Sequence, residues 1–124
     1  MPRPEFTCQV AVQYLAEQSH PQAEAYAFSY TVTILNTGDV TAQVVARHWV
    51  IVDATGHAQE VRGLAVVGKQ PLLKPGERFE YTSGASIATP VGTMRGSYQM
   101  VASDGTRFEA DIPEFTLSVP RVLH

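Results

Sequence analysis

Apolar and polar residues alternate along most of the chain with a period of two, the spacing of strands with one buried face. Phe6, Cys8, Val10, Val12 and Tyr14 alternate with Thr7, Gln9, Ala11 and Gln13. Tyr26, Phe28, Tyr30, Val32 and Ile34 alternate with Ala27, Ser29, Thr31 and Thr33. A third strand is expected over 41–53, with Val45, Arg47, Trp49 and Ile51 on one face and Val44, Ala46, His48, Val50 and Val52 on the other. Further strands are expected over 57–63, 77–83, 94–102 and 107–112, and Phe115, Leu117 and Val119 carry the last one beyond Pro113.

The breaks have turn chemistry. Asn36-Thr37-Gly38-Asp39 is a turn with Gly38 available for positive φ, Asp53–Gly56 is the next, and Ser103-Asp104-Gly105-Thr106 is a hairpin signal. The stretch 64–76 is irregular, and Pro71 and Pro75 keep its second half out of a central strand. Two glycines, a proline and several small polar residues make 83–93 a long loop. No segment repeats apolar residues at helical spacing, and Tyr14–Gln18 offers one turn at most. The pattern predicts an all-β chain of seven to eight antiparallel strands in two facing sheets, an immunoglobulin/fibronectin type III-like β-sandwich spanning 1–124 as a single domain. Trp49 is assigned to its core. A closed barrel of the OB-fold kind is the alternative architecture.

Composition narrows the function classes. The 124 residues carry 9 Lys and Arg against 12 Asp and Glu, a net charge of −3. That balance argues against a nucleic-acid binder, which needs clustered cations. One cysteine cannot form an internal disulfide, which fits a reducing, cytoplasmic setting. The start of the chain, Met1-Pro2-Arg3-Pro4-Glu5, lacks the apolar run of a signal peptide, and no stretch has the length of a membrane helix. No cofactor is implied. Cys8 alternates with Phe6 and Val10, so it reads as a buried, inert thiol.

The candidate chemistry is sparse. Arg62-Gly63-Leu64-Ala65-Val66-Val67-Gly68-Lys69-Gln70-Pro71 resembles the glycine-rich loops that cradle pyrophosphate. Ala65 stands at the middle glycine, and Pro71 and Pro75 forbid the helix that such a loop should open. The structural reading is a strand end and turn, with Gly63 and Gly68 at positive φ. Arg62, Gly63, Gly68, Lys69 and Gln70 nonetheless flank an apolar tip that could hold an anion or a partner. Ser83, Gly84 and Ser86 lie in a hydroxyl-rich stretch that lacks the G-x-S-x-G elbow of a nucleophilic serine. His20, His48, His57 and His124 show no metal-ligand spacing, and Glu109 with Asp111 reads as a solvated strand face. No catalytic constellation and no metal ligands are assigned.

Read in order, these residues resemble the ApaG family. The resemblance runs through Tyr26-x-Phe28-x-Tyr30, Arg47-x-Trp49-x-Ile51-x-Asp53-x-x-Gly56 and Val61-x-Gly63-x-x-Val66-Val67-Gly68-x-Gln70-Pro71. It continues through Pro75-Gly76-x-x-Phe79-x-Tyr81-x-Ser83-Gly84, Thr89-Pro90-x-Gly92-x-Met94-x-Gly96-x-Tyr98-x-Met100 and Ile112-Pro113-x-Phe115-x-Leu117. Ala65 and Lys69 depart from the family's usual glycine and glutamate. The resemblance implies a fibronectin type III-like fold and a non-enzymatic interaction module associated with cobalt resistance and magnesium efflux. It implies a protein partner, with weak anion or divalent-cation binding as a further possibility. A homodimer through an edge strand is one expected assembly. The alternative function is binding of pyrophosphate or diadenosine tetraphosphate through Arg62–Pro71.

Overall fold

In the computed structural model, which describes residues 3–64 and 66–120, the alternating segments form eight strands. They are β1 (Phe6–Tyr14), β2 (Tyr26–Asn36), β3 (Ala42–Asp53), β4 (Ala58–Leu64), β5 (Leu72–Leu73), β6 (Arg78–Ile87), β7 (Val91–Ala102) and β8 (Arg107–Ser118). Single turns of 3-10 helix at Ala16–Gln18 and Pro21–Ala23 fill the β1–β2 link. All strand pairs are antiparallel. A three-stranded sheet has the order β1-β2-β6, and a five-stranded sheet has the order β4-β3-β7-β8 with β5 also on β3. The fourth strand thus pairs with the third rather than joining the first sheet, as the fibronectin type III-like arrangement requires and a closed barrel does not.

The two inner faces meet around Trp49. Its ring lies edge-on to Tyr30, Tyr98 and Phe115, at centroid distances of 5.2, 6.3 and 5.9 Å. Such geometry adds to the burial that large aromatics supply. Phe28, Val32, Ile34, Val44, Met94, Met100 and Leu117 fill the space around this cluster and are almost wholly buried. The Tyr81 and Tyr98 hydroxyls bond each other inside it. Burial pushes the Tyr81 phenol up to about 12 and Tyr98 higher still, so both stay protonated. Trp49 Nε1 is buried without a hydrogen-bond acceptor. Cys8 lies in the core as the sequence implies, and desolvation, with Asp111 second, pushes its thiol up to about 11.

Two bulges change the phase of the alternation. In β3, Val44 pairs with Met100 but Ala46 pairs with Gln99, so Val45 is the extra residue. The sequence reading placed Val45 on the face of Trp49; the bulge instead puts Val44 there, buried, and leaves Val45 half-buried. In β8, Met94 pairs with Phe115 and Gly96 with Ile112. Pro113 falls in this irregularity, where its missing N–H breaks no ladder bond.

Three local expectations are corrected. The expected loop over 83–93 is mostly strand, because β6 runs on to Ile87 and β7 begins at Val91. Small residues there serve pairing: a Cβ at Gly92 would lie 2.6 Å from Val52 O. Gly38 does not take positive φ; a Cβ there would lie 2.6 Å from Glu5 N, so glycine admits the close passage of the N-terminal segment. Gly63 does not take positive φ either, whereas Gly68 does, at 77°.

Candidate functional site

The glycine-containing segment sits on one flank of the five-stranded sheet. β4 and β5 lie end to end along the same edge of β3, β4 against 46–52 and β5 against 42–43. The chain between them leaves the sheet opposite the Val45 bulge and is fastened there. Val44 N–H donates to Pro71 O (3.0 Å), Gln70 Nε2 to Val45 O (3.0 Å) and Gln43 Nε2 to Gln70 O (3.0 Å). Gln70 therefore anchors the segment instead of facing a ligand.

Val66 is fully buried and holds the turn to the core. Val66 and Lys69 exchange both backbone bonds, at 2.7 and 2.9 Å. Val67 and Gly68 between them take φ of 44° and 77°. Positive φ at both central positions is the two-residue hairpin geometry for which asparagine-glycine is favoured. A β-branched residue is strained there. Val67 is nevertheless 53% exposed, with Leu64 at 78% and Leu72 at 60% on either side of the turn. Among the described residues, four of the five large, exposed hydrophobic residues, these and Val61, belong to this flank. Nothing in the fold's own packing explains an apolar tip held in a strained turn.

The charged residues here are engaged with one another. Arg62 donates to Glu60 Oε1 at 2.7 Å, and His48 Nε2 lies 3.1 Å from the same oxygen. The hydrogen bond from Arg62, then that from His48, holds the Glu60 carboxyl below its usual range. The Arg47 side chain crosses Gly63, and its Nη1 donates to Leu64 O at 3.0 Å. A Cβ at Gly63 would meet that guanidinium at 2.9 Å, so glycine here makes room for an arginine and not for a phosphate. An open groove of about 360 Å³ on this flank is lined by Ala46, Arg47, His48, Arg62, Gly63, Leu64 and Gln99.

The sequence-derived candidates fall into separate places. Arg62 and Gly63 are on β4, and Gly68, Lys69 and Gln70 are in or beside the turn. Ser83 and Gly84 are on β6, opposite Tyr30 and Ser29 of the other sheet, and do not join them. Sequence reasoning missed Arg47, His48, Glu60 and Val61, which complete the flank. His57 is beside Asp53 at the β3–β4 turn, and His124 lies outside the described residues. Among the described residues, no group of three or more His, Cys, Asp and Glu side chains is placed to hold a metal ion. No helix among them is long and apolar enough to cross a membrane.

Comparison with known proteins places this architecture. The ApaG domain model matches residues 16–102. The ApaG protein of Ralstonia nicotianae is 65% identical over 124 residues, covering all of both chains. That of Thiobacillus denitrificans is 66% identical over 115 residues, 93% of this chain and 91% of the relative. A crystal structure of an ApaA-assigned protein from Bordetella pertussis superimposes with a TM-score of 0.93 at 54% identity, covering 96% of this chain and 97% of that one. The C-terminal domain of wzt shares the fold alone, at a TM-score of 0.53 and 9% identity over 99% of this chain and 81% of that one. The family match, the near-complete coverage by relatives and the shared sandwich agree: the chain belongs to the ApaG family.

Proposed function

We propose that this protein is a non-enzymatic interaction module that docks a protein partner on the flank formed by Leu64, Val67 and Leu72. The observation that carries this reading is the apolar tip. Placing Val67 in a left-handed turn costs on the order of 1–3 kcal/mol of backbone strain and leaves the residue 53% exposed. Contiguous exposed apolar residues mark interaction sites more often than they serve the monomer. The cation association implied by the family resemblance makes the partner a component of cobalt tolerance and magnesium efflux. Lys69 at the tip and the Arg62–Glu60–His48 group beside it supply a polar rim.

A double variant, Val67→Asp with Leu72→Asp, tests the reading. Both positions are solvent-exposed, so the fold is retained, and the variant is expected to fail to restore cobalt tolerance to cells lacking the wild-type protein. Full restoration by the folded variant overturns the proposal. Equilibrium dialysis of the purified protein against Co²⁺ and calorimetry with pyrophosphate test direct ligand carriage. Stoichiometric binding of either would replace the docking reading.

A further inference from the structure

The free edge of β4 is a surface distinct from the turn. The Asp53 N–H donates to His57 O at 3.0 Å, which sets the phase of the β3–β4 ladder. His57, Gln59, Val61 and Gly63 therefore exchange backbone bonds with β3, opposite Asp53, Ile51, Trp49 and Arg47. Ala58, Glu60, Arg62 and Leu64 point their N–H and C=O groups the other way. Among the described residues no strand pairs with that side. Apart from half-buried Gly63 the strand is exposed throughout, and it contains neither proline nor lysine. Proline, lysine and other edge charges are the usual devices that keep a free edge from pairing, and the two charges this strand carries, Glu60 and Arg62, are of opposite sign.

The geometry points to a second copy of this chain as the occupant: two β4 strands pair antiparallel across a two-fold axis at Val61. Three features select this partner and register. Val61 is the midpoint of Ala58–Leu64, so this register pairs all seven residues. It joins outward-pointing residues to outward-pointing ones, Glu60 to Arg62 of the other copy and Ala58 to its Leu64. It also places opposite charges across the axis twice. Shifting the register by two residues in either direction, the smallest shift that preserves the hydrogen-bond phase, sets Glu60 against itself or Arg62 against itself. The strand is thus self-complementary in a single full-length register. On the inner face, Val61 meets its copy beside the Trp49 core; on the outer face, Ala58 covers the largely exposed Leu64. The two Leu64 positions then lie about 20 Å apart at a rise of ~3.4 Å per residue, with the apolar turns beyond them at opposite ends of the joined strands. The dimer would present two docking tips facing away from each other.

Sedimentation equilibrium with charge reversal tests this. The wild type should rise from its 13.5 kDa monomer mass toward twice that value with concentration. Arg62→Glu and, separately, Glu60→Arg set like charges across the axis and should each weaken dimerisation by roughly tenfold or more. The double reversal Glu60→Arg/Arg62→Glu should restore it, with melting curves confirming that each variant is folded. A wild type that stays monomeric throughout overturns the proposal and leaves the edge to a strand of another protein. A dimer unaffected by either single reversal, or weakened by both singles and not rescued by the double, overturns the register.

Discussion

The two flanks of the five-stranded sheet solve the same problem in opposite ways. On one flank, β1 of the facing sheet packs beside β8, with Phe6 and Phe108 in ring contact at 6.0 Å. Ala110, Ile112 and Leu117 of β8 are buried, and Pro113 sits in a bulge that disrupts the ladder. On the other flank, β4 overhangs the narrower sheet, regular and without a proline. Its residues are exposed apart from half-buried Gly63, and among the described residues no strand pairs with its outward backbone groups, of which Leu64 O accepts from Arg47 Nη1. Edges that a protein needs closed are bent, covered or interrupted. The β4 edge, straight, apolar in part and self-complementary in charge, lacks those devices, and it is the edge proposed to pair with its own copy.

This contrast can be broken most severely at the closed flank. Leu117→Ala should lower stability by about 2–5 kcal/mol in urea denaturation, because its site is fully packed. Leu64→Ala on β4, measured at concentrations that keep the chain monomeric, should change stability by no more than ~0.5 kcal/mol. Similar costs at the two positions would abolish the distinction.

The core beneath both flanks gives the next effect. Tyr98→Phe leaves the buried Tyr81 hydroxyl without its partner and should cost about 1–3 kcal/mol. Tyr81→Phe/Tyr98→Phe removes both hydroxyls and should recover most of that loss, which a double-mutant cycle would read directly.

At the turn the sign reverses. Val67→Asn, which relieves a β-branched residue at φ 44°, should stabilise the monomer by about 1 kcal/mol while weakening partner docking. A destabilised variant would mean that Val67 serves the fold after all.

The smallest effect is one of pH. The Thr55 hydroxyl, then backbone N–H groups, holds the Asp53 carboxyl below its ordinary value, and Arg62 and His48 do the same for Glu60. A carboxyl that binds its proton less readily when folded stabilises the fold above its ordinary value. That contribution is lost as pH falls through the lowered value. In an NMR pH titration the side-chain carboxyl carbons of Asp53 and Glu60 should therefore change shift below the ordinary carboxylate range, and midpoints at or above that range would contradict these contacts.

Most of the architecture was legible in the sequence because a period of two reports a half-buried strand residue by residue. Trp49, Cys8 and the Pro113 break lie where the pattern implies. Val45 was misassigned because a bulge inserts one residue and flips every later side chain, without a compositional mark. The stretch 83–93 was read as loop because small residues there admit close strand pairing, which only the neighbouring strands reveal. Gly63 looked like part of a phosphate cradle because a glycine vacated for Arg47 and one vacated for a ligand read identically. The open edge was present in the sequence as Glu60, Val61 and Arg62. Its meaning depended on which of the paired strands has no outer neighbour, and that is a property of the topology.

The pairing of β4 with its own copy is tested most directly by a single cysteine at the axis. In the proposed register two Val61 Cα atoms face each other across a non-hydrogen-bonded pair at about 4.5 Å, within disulfide reach. Under mild oxidation, Val61→Cys should yield a covalent dimer on non-reducing gels, whereas Glu60→Cys and Arg62→Cys, each displaced from the axis, should not. A Val61→Cys protein that stays monomeric, or crosslinking at 60 or 62 in its place, would contradict the account.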